Sequence, residues 1–400
     1  MTAIVLRPET FVIRRETPFH NYYVIFIFNY RYFFILLEPP FPRDSARKCQ
    51  IVYLLGVEKS QIVLKIAVMG MGVAGSYLMA RLKNSEHEVV GYERMPEDRH
   101  DSICAWGTIK KVLDGFCKKT GRNFDDFLIH DGKNMHVKMN NDVKFDIGLK
   151  GLCTYDKLAL IKDFIKDSKI IYGQSPKLEE LEKEYDMIVD CTGFHRVYLP
   201  KLKEDFFLPT YEYKVEYENG LPYDDFYIEP FPGMSGYFWY FPLGEKWAHI
   251  GAGDYNKNHI KATDEFLEKH GGKVIATKGR PIRLATPDRC KPYYSGKVVG
   301  VGESIGTVYA LLGEGIIPSM QCVEIFLENM HDFKAYEKAV EEHYKVYAKV
   351  FNFVRAKIHK DFSFLKALPD FIAIFRYMKK HEDRFGMNIK IADLMRVAKA

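Results

Sequence analysis

A glycine-rich turn near residue 70 has the residue types and the spacing of a dinucleotide site. It follows the apolar stretch LKIAVM (64–69) and reads Gly70-Met71-Gly72-Val73-Ala74-Gly75. The first glycine permits a tight turn, the second permits close approach of the backbone to a pyrophosphate, and the third lets a helix pack on a strand. Glu93 ends the next predicted strand, where a carboxylate can accept hydrogen bonds from ribose hydroxyls. This pattern predicts one firmly bound dinucleotide.

A second glycine-rich region, far downstream, favours FAD over NAD as that dinucleotide. Gly302 and Glu303 end a predicted strand, and Gly313-Glu314-Gly315-Ile316 opens a predicted helix. A carboxylate at a strand end can bind a ribityl chain, and a glycine-opened helix N-terminus can stabilise the anion of a reduced isoalloxazine. Since no second fingerprint is found, we expect the electron donor, either NADPH or reduced ferredoxin, to bind only transiently.

Five consecutive aromatic residues, 237–241, open the stretch GYFWYFPLGEKWAHIGAG at 236–253. Two apolar runs around a short polar turn predict a β-hairpin. Only alternate residues of a half-buried strand face the core, so five rings in a row give both faces bulky side chains. We therefore expect a wall with one face on the core and the other on a cavity. Lys246 and His249 are expected to be solvated.

Together these motifs resemble the geranylgeranyl reductase family of flavoproteins, a branch of the p-hydroxybenzoate hydroxylase fold, over roughly residues 64–350. The family signature is aromatic-x-Trp-x-Phe-Pro, seven or eight residues, then Gly-x-Gly. In this chain it is formed by Tyr237, Trp239, Phe241, Pro242, Gly251 and Gly253. The family also has a cysteine loop near the flavin, seen here as Cys104-Ala105-Trp106-Gly107.

The resemblance implies an α/β fold, with a Rossmann-like FAD-binding domain, an inserted antiparallel-sheet substrate domain and C-terminal helices. Members reduce isolated C=C bonds of isoprenoid chains, notably the geranylgeranyl chains of archaeal ether lipids. The signature residues would bind this lipid, and Cys104 is the candidate for a gating or proton-related catalytic role. The residues expected to bind FAD are Gly70, Gly72, Ala74, Gly75, Glu93, Arg94, Cys104, Ala105, Gly107, Gly302, Glu303, Gly313, Gly315 and Ile316.

Two other functions are compatible with these motifs. A flavin-dependent monooxygenase or halogenase would share the fold, and the halogenase pattern Trp-x-Trp-x-Ile-Pro is similar to residues 237–242, although no second lysine-bearing motif accompanies it. A non-catalytic FAD-containing binder of prenyl lipids is the other alternative. It is suggested by Glu303, where the family usually has Asp, and by Tyr309-Ala310 in place of Asn-Pro.

The pattern of apolar residues divides the chain into four parts. Residues 64–205 and 280–350 are predicted to form the discontinuous FAD-binding domain, and 206–279 the antiparallel substrate domain. Residues 351–400 are predicted to be amphipathic helices with a break at Pro369.

Residues 1–63 differ from the rest, because 21–37 is strongly apolar and is preceded by Arg14 and Arg15. A membrane anchor and an extra strand or helix pair are two interpretations of this segment. We favour a third, in which translation begins near Val63 or Leu64 from a non-AUG codon.

Composition excludes several classes of protein. The net charge of +5 on 400 residues gives no basis for nucleic-acid binding. The seven scattered cysteines, without a CxxC pair, predict reduced thiols in a cytoplasmic protein and no metal site.

We expect a monomer. Its basic C-terminal residues are interpreted as a solvated face, with peripheral contact to anionic lipid headgroups as the alternative; they are Arg355, Lys357, Lys360, Lys379 and Lys380.

Overall fold

The structure is a computed structural model that divides into two units, residues 1–63 and 64–400. It describes four strands before residue 39, and then residues 63–398 apart from 103, 141 and 361. The first unit contains an antiparallel sheet in the order β1 (Ala3–Arg7), β2 (Thr10–Thr17), β3 (His20–Asn29) and β4 (Tyr32–Glu38). The apolar stretch 21–37 therefore lies mainly in β3 and β4. A translation start near Leu64 stays a prediction.

The second unit alternates strands and helices. Its strands are β5 (Lys65–Met69), β6 (Glu88–Glu93), β7 (Gly107–Ile109), β8 (Leu128–Asp131), β9 (Asn134–Lys138), β10 (Lys144–Gly148), β11 (Leu152–Tyr155), β12 (Ile170–Tyr172), β13 (Met187–Asp190), β14 (Phe207–Glu216), β15 (Phe226–Pro230), β16 (Gly236–Pro242), β17 (Trp247–Asp254), β18 (Lys273–Arg283), β19 (Tyr294–Ser295) and β20 (Val298–Gly300). Its helices are α1 (Val73–Leu82), α2 (Lys110–Lys118), α3 (Lys157–Ile165), α4 (Leu178–Glu184), α5 (His259–His270), α6 (Ile316–Asn329), α7 (Phe333–His343), α8 (Lys345–Ile358), α9 (Phe364–Lys380), α10 (Glu382–Phe385) and α11 (Ile391–Ala398).

A six-stranded sheet in the order β12-β6-β5-β13-β20-β19 carries the glycine-rich turn. Its first five strands are parallel, and only β19 runs antiparallel to its neighbour. After Lys65, the central strand β5 is a buried apolar run, which is typical of a parallel strand covered on both faces. The helices α3 and α6 both pack on α1. The carboxyl ends of β5 and β6 therefore lie at the same edge of the sheet, with the glycine-rich turn after β5 and the Glu93 carboxylate at the end of β6.

A seven-stranded sheet in the order β10-β9-β15-β16-β17-β14-β18 forms the other large layer. The predicted hairpin is confirmed, because β16 and β17 pair antiparallel. The sheet is wider than residues 206–279, since β9 and β10 join its edge through the parallel pairing of β9 with β15. A three-stranded sheet, β7-β11-β8, carries the end of the cysteine loop.

The expected helix break at Pro369 is wrong, because α9 continues through this residue. Pro369 lies near the start of the helix, and the only backbone bond it removes is the one to the carbonyl of Leu365. Leu365 is 82% exposed, so this turn of the helix faces water. Among the described residues, no helix is both long enough and apolar enough to cross a membrane.

The carboxylate of Glu324 on α6 joins three helices around the parallel sheet. It accepts hydrogen bonds from the Tyr77 hydroxyl (2.6 Å) and from Arg81 Nε (2.7 Å) on α1, and from Lys119 Nζ (2.6 Å) at the end of α2. Burial opposes its ionisation, but the hydrogen bonds from Arg81, Lys119 and Tyr77 win and lower the pKa of Glu324 to about 2. The ionised carboxylate therefore stabilises the folded state.

Glu324→Gln is expected to lower the free energy of unfolding at pH 7 by about 1–3 kcal/mol, because three donors lose their charged acceptor. A depressed carboxyl pKa contributes stability that is complete above the unfolded-state value and is lost as the pH falls through the folded-state value. The difference between wild type and variant should therefore shrink between about pH 5 and pH 2. Urea unfolding across this range measures it, and the exposed Glu328→Gln on the same helix is the control. A difference that stays constant with pH would contradict the role of Glu324.

Candidate functional site

The glycine-rich turn leads from β5 into α1, as predicted. Gly70 has φ +90°, and a Cβ there would lie 2.9 Å from the carbonyl oxygen of Cys191. A Cβ on Gly75 would lie 1.9 Å from the carbonyl oxygen of Gly70, so α1 can approach the turn only without that side chain. Gly72 differs, since a Cβ there meets nothing within 4 Å. The N-terminus of α1 has no side-chain cap and faces open space beside Gly72, which is the environment that binds a phosphate.

The Glu93 carboxylate fixes the end of β6 against this turn. Its Oε2 accepts from the backbone N–H of Met71 (2.9 Å) and its Oε1 from the N–H of Met95 (3.0 Å). A carboxylate oxygen has two lone pairs, so each oxygen keeps acceptor capacity for a ribose hydroxyl. Glu93 and the neighbouring Arg94 both line the cavity described below.

Residues of the downstream glycine-rich region also line the cavity described below. Glu303 lies in a 3-10 turn after β20, where its carboxylate accepts from the Arg280 guanidinium and from the backbone N–H of Arg283 (3.0 Å). The helix α6 begins after Gly315 without a side-chain cap. Arg280, on β18, is a residue that sequence reasoning missed, and no local pattern marks it.

Glu314 anchors the loop before α6 to the C-terminal helices. Both of its carboxylate oxygens accept from Nη1 of Arg384 on α10, at 2.9 and 2.7 Å. Burial raises the pKa of Glu314, and the Arg384 guanidinium opposes that shift. The same loop contacts the hairpin, because the Tyr237 hydroxyl donates to the carbonyl of Leu312 (2.6 Å). The aromatic strand and the start of α6 are therefore directly linked.

The cysteine loop lies beside the same strand. Cys104 is partly buried, and its Sγ accepts from the backbone N–H of Trp106 (3.3 Å). Trp106 has φ +61°, which turns the chain toward β7. A Cβ on Gly107 would lie 2.5 Å from Cε2 of Phe241, so the missing side chain lets that ring approach the loop.

One cavity of about 1120 Å³ brings most of the predicted residues together. It exceeds the roughly 300–1,000 Å³ common for small-molecule sites. The predicted residues that line it are Gly70, Gly72, Ala74, Glu93, Arg94, Cys104, Ala105, Gly107, Tyr237, Trp239, Phe241, Gly253, Glu303, Gly313, Gly315 and Ile316. The predicted residues that do not line it are Gly75, Pro242, Gly251 and Gly302.

The two faces of β16 have different surroundings. Tyr237, Trp239 and Phe241 line the cavity. Phe238 and Tyr240 point the other way into a second hydrophobic core, where the Phe238 ring lies 4.6 Å from the ring of Phe266 on α5. The alternation of the strand thus divides the five aromatic residues between a cavity and a core.

Gly251 lies beneath the Trp239 indole, although it does not line the cavity itself. In the sheet register Trp239 on β16 lies opposite Gly251 on β17, which lies opposite Glu212 on β14. A Cβ on Gly251 would be 2.6 Å from Cζ2 of Trp239. The indole therefore extends across the glycine toward Glu212, and these three residues form a single row across three strands.

Glu212 is a cavity-lining carboxyl that the sequence analysis missed. Burial raises the pKa of Glu212 to about 8, against the opposing effects of the Lys157 ammonium and the Trp239 N–H. His249 Nδ1 lies 3.8 Å from Glu212 Oε1.

The expectation that His249 is solvated is wrong, because it is buried, whereas Lys246 is exposed as expected. Burial and the nearby Lys214 ammonium lower the pKa of His249 to about 3, so both Glu212 and His249 are neutral at pH 7.

No protein-family model matches the chain, and no curated protein matches it in sequence. Solved structures do match. A geranylgeranyl bacteriochlorophyll reductase-like protein from Thermoplasma acidophilum aligns with a TM-score of 0.62 and 15% identity, over 74% of this chain and 88% of that protein. PqsL, a probable FAD-dependent monooxygenase from Pseudomonas aeruginosa, aligns at 0.55 and 12%, over 77% and 99%.

A flavin-dependent halogenase from Xanthomonas campestris is also similar, with a TM-score of 0.55 and 14% identity over 74% of this chain and 78% of that protein. The predicted fold class is confirmed by these similarities. The chain has the α/β fold of p-hydroxybenzoate hydroxylase-like flavoproteins, with a parallel sheet and an added antiparallel layer.

Gly251→Ala is expected to destabilise the protein by about 1–3 kcal/mol, because the new methyl group would overlap both the Trp239 indole and the backbone carbonyl of Tyr211. Urea unfolding of the two proteins measures this difference. The control is Gly115→Ala in α2, where a Cβ meets nothing within 4 Å and helix propensity should raise stability by about 0.5–1 kcal/mol. Equal stability of wild type and Gly251→Ala would contradict the close contact.

Proposed function

We propose that the protein binds FAD and reduces isolated C=C bonds of an isoprenoid lipid chain. The observation that carries this proposal is that one cavity borders the uncapped N-termini of α1 and α6, the aromatic face of β16 and an apolar group of C-terminal helices. The residues of that last group are Val354, Ile358, Met378, Phe385, Leu394 and Val397.

The residues at the starts of α1 and α6 fit the two halves of FAD. The open position at Gly72 and the uncapped amides of α1 suit a pyrophosphate, and Glu93 suits the adenosine ribose. The uncapped start of α6 suits the electron-rich edge of an isoalloxazine ring. When bound and reduced, the flavin would supply a hydride. The donor that reduces it, NADPH or ferredoxin, would bind transiently.

The remaining lining suits a long apolar chain better than a small polar substrate. Burial of hydrocarbon contributes about 0.8 kcal/mol per CH₂, so an isoprenoid tail gains much of its affinity from this surface. An isolated alkene has no carbonyl to stabilise negative charge, and its reduction therefore develops positive charge on carbon. The π faces of Tyr237, Trp239 and Phe241 favour that charge over the uncharged substrate.

Gly72→Asp is expected to abolish FAD binding without unfolding the protein. The backbone at Gly72 is extended with φ −79°, and the side chain enters open space, so the structure tolerates it. The new carboxylate also caps α1, which should stabilise the helix, while it repels the pyrophosphate.

The flavin absorbance per purified protein and urea unfolding measure the two effects. Gly72→Asn is the matched control, since it has nearly the same size and no charge and should keep more FAD than the Asp variant. Full flavin content in Gly72→Asp would refute the assignment of the pyrophosphate to this turn.

Trp239→Leu is expected to slow lipid reduction about tenfold or more while FAD stays bound, because the ring that stabilises the developing charge is lost. The assay uses dithionite-reduced holoprotein without oxygen. A geranylgeranyl ether lipid in detergent micelles is added, flavin re-oxidation is followed by absorbance, and mass spectrometry detects two added hydrogens per double bond.

Trp247→Leu is the matched control, because this indole is exposed on the same hairpin. Wild-type protein that never re-oxidises with any polyprenyl lipid would refute the reductase and leave the binder. Oxygen-dependent consumption of NADPH with a hydroxylated product would instead support the monooxygenase.

A further inference from the structure

Reduction of an alkene needs a proton as well as a hydride, and the groups that line the cavity differ in their ability to supply one. Six carboxyl groups line it among the described residues. Five of them accept hydrogen bonds or ion pairs from a cation or from backbone amides: Glu93, Asp101, Glu303, Glu314 and Asp393. The sixth is Glu212, whose buried Oε2 has no hydrogen-bond partner among the described residues, while the N–H groups of Trp239 and Cys104 act on its carboxyl.

Two other titratable groups near the aromatic face, Tyr237 and His249, are poorly suited to donate a proton. The Tyr237 hydroxyl already donates to the carbonyl of Leu312, and burial raises the pKa of Tyr237 above its ordinary value. Burial lowers the pKa of His249, so its imidazole carries no extra proton at pH 7. Glu212, by contrast, is protonated at pH 7, since burial raises its pKa to about 8.

Glu212 also lies next to the ring that would stabilise a cation. The missing side chain of Gly251 lets the Trp239 indole cross one strand toward the carboxyl. The indole N–H is buried and opposes the rise in the pKa of Glu212, so it acts directly on this carboxyl. The acid and the π surface are therefore adjacent on one wall of the cavity.

We propose that Glu212 is the acid that protonates the alkene, an assignment that rests on the proposed reductase function. The O–H bond of the carboxyl breaks, and its electron pair stays on oxygen. The proton goes to one alkene carbon, where the π pair forms the new C–H bond. The other carbon takes the hydride of a reduced flavin. Because a carboxylic acid is far too weak to protonate an isolated alkene fully, the two transfers must overlap in time.

The groups around Glu212 can hold the carboxylate that remains. The Lys157 ammonium and the Trp239 N–H both favour its charged form. Water that enters after product release would return the proton. Six other titratable or charged groups lie near Glu212, on its own strand or on the elements that surround it. They are Asp101, Cys104, Lys157, Lys214, His249 and Lys278.

The test compares Glu212→Gln with wild type in the anaerobic re-oxidation assay. Loss of the acid should slow lipid-dependent re-oxidation by about 10²–10⁴-fold at unchanged flavin content. The wild-type rate should fall above about pH 8, as the carboxyl ionises, and the variant should lack this decline.

Glu212→Asp, which keeps an acid on a shorter side chain, should recover part of the rate. Glu216→Gln is the matched control, because this residue lies on the same strand, pairs with Lys246 and does not line the cavity.

Infrared difference spectroscopy gives a readout that does not depend on turnover. Between pH 6 and pH 10 the wild-type protein should lose the carbonyl band of a protonated carboxyl with a midpoint near pH 8, and Glu212→Gln should lack this band. If wild type turns over and Glu212→Gln matches its rate, the role of Glu212 is refuted and the reductase stands. If wild type turns over but lacks the infrared band, the role of Glu212 is likewise refuted and the reductase stands. If wild type never re-oxidises with any polyprenyl lipid, both proposals fail.

Discussion

The two-residue repeat of β16 is the constraint on which the cavity side of the molecule depends. A strand must place successive side chains on opposite faces, and here both faces receive aromatic rings. One set closes a core against α5, and the other borders the cavity. A shift of one residue in register would exchange the two sets. The position of the cavity wall is therefore fixed by the same pairing that builds the second core.

Charge at the cavity follows a second physical rule, that a buried charge needs a partner. Without one, a carboxylate takes up a proton and an imidazolium loses its proton. The carboxylate of Glu303 pairs with Arg280 and that of Glu314 with Arg384, and each arginine lies on a distant element. Glu212 and His249 remain neutral instead, since burial is the dominant effect on both pKa values. Glu212 thus differs from the arginine-paired carboxyls of the same cavity, because its burial favours the protonated form, which has a proton to give.

Local patterns in the sequence predict the parts of the site that lie within one turn or one hairpin. The turn at Gly70, the strand that ends at Glu93 and the start of α6 were all placed correctly, because glycine spacing and apolar runs encode them directly. Glu212 and Arg280 reach the site through strand register, which a single sequence does not state. A weak signal for Glu212 did exist, since it is a carboxyl flanked by Tyr211 and Tyr213 in an apolar strand. Pro369 is an exception among the local patterns, because α9 continues through it although proline lacks the N–H that a helix residue donates.

The contact of Trp239 with Gly251 has a consequence for how the sequence can change over time. Any side chain at 251 overlaps both the indole and the backbone carbonyl of Tyr211, so a smaller residue at 239 removes only one of the two obstacles. A change from Trp239 to a small residue would leave a gap above the glycine, and the Tyr211 carbonyl would still exclude a side chain there. Position 251 is therefore restricted to glycine independently of position 239, whereas the tryptophan can be replaced without any change at 251.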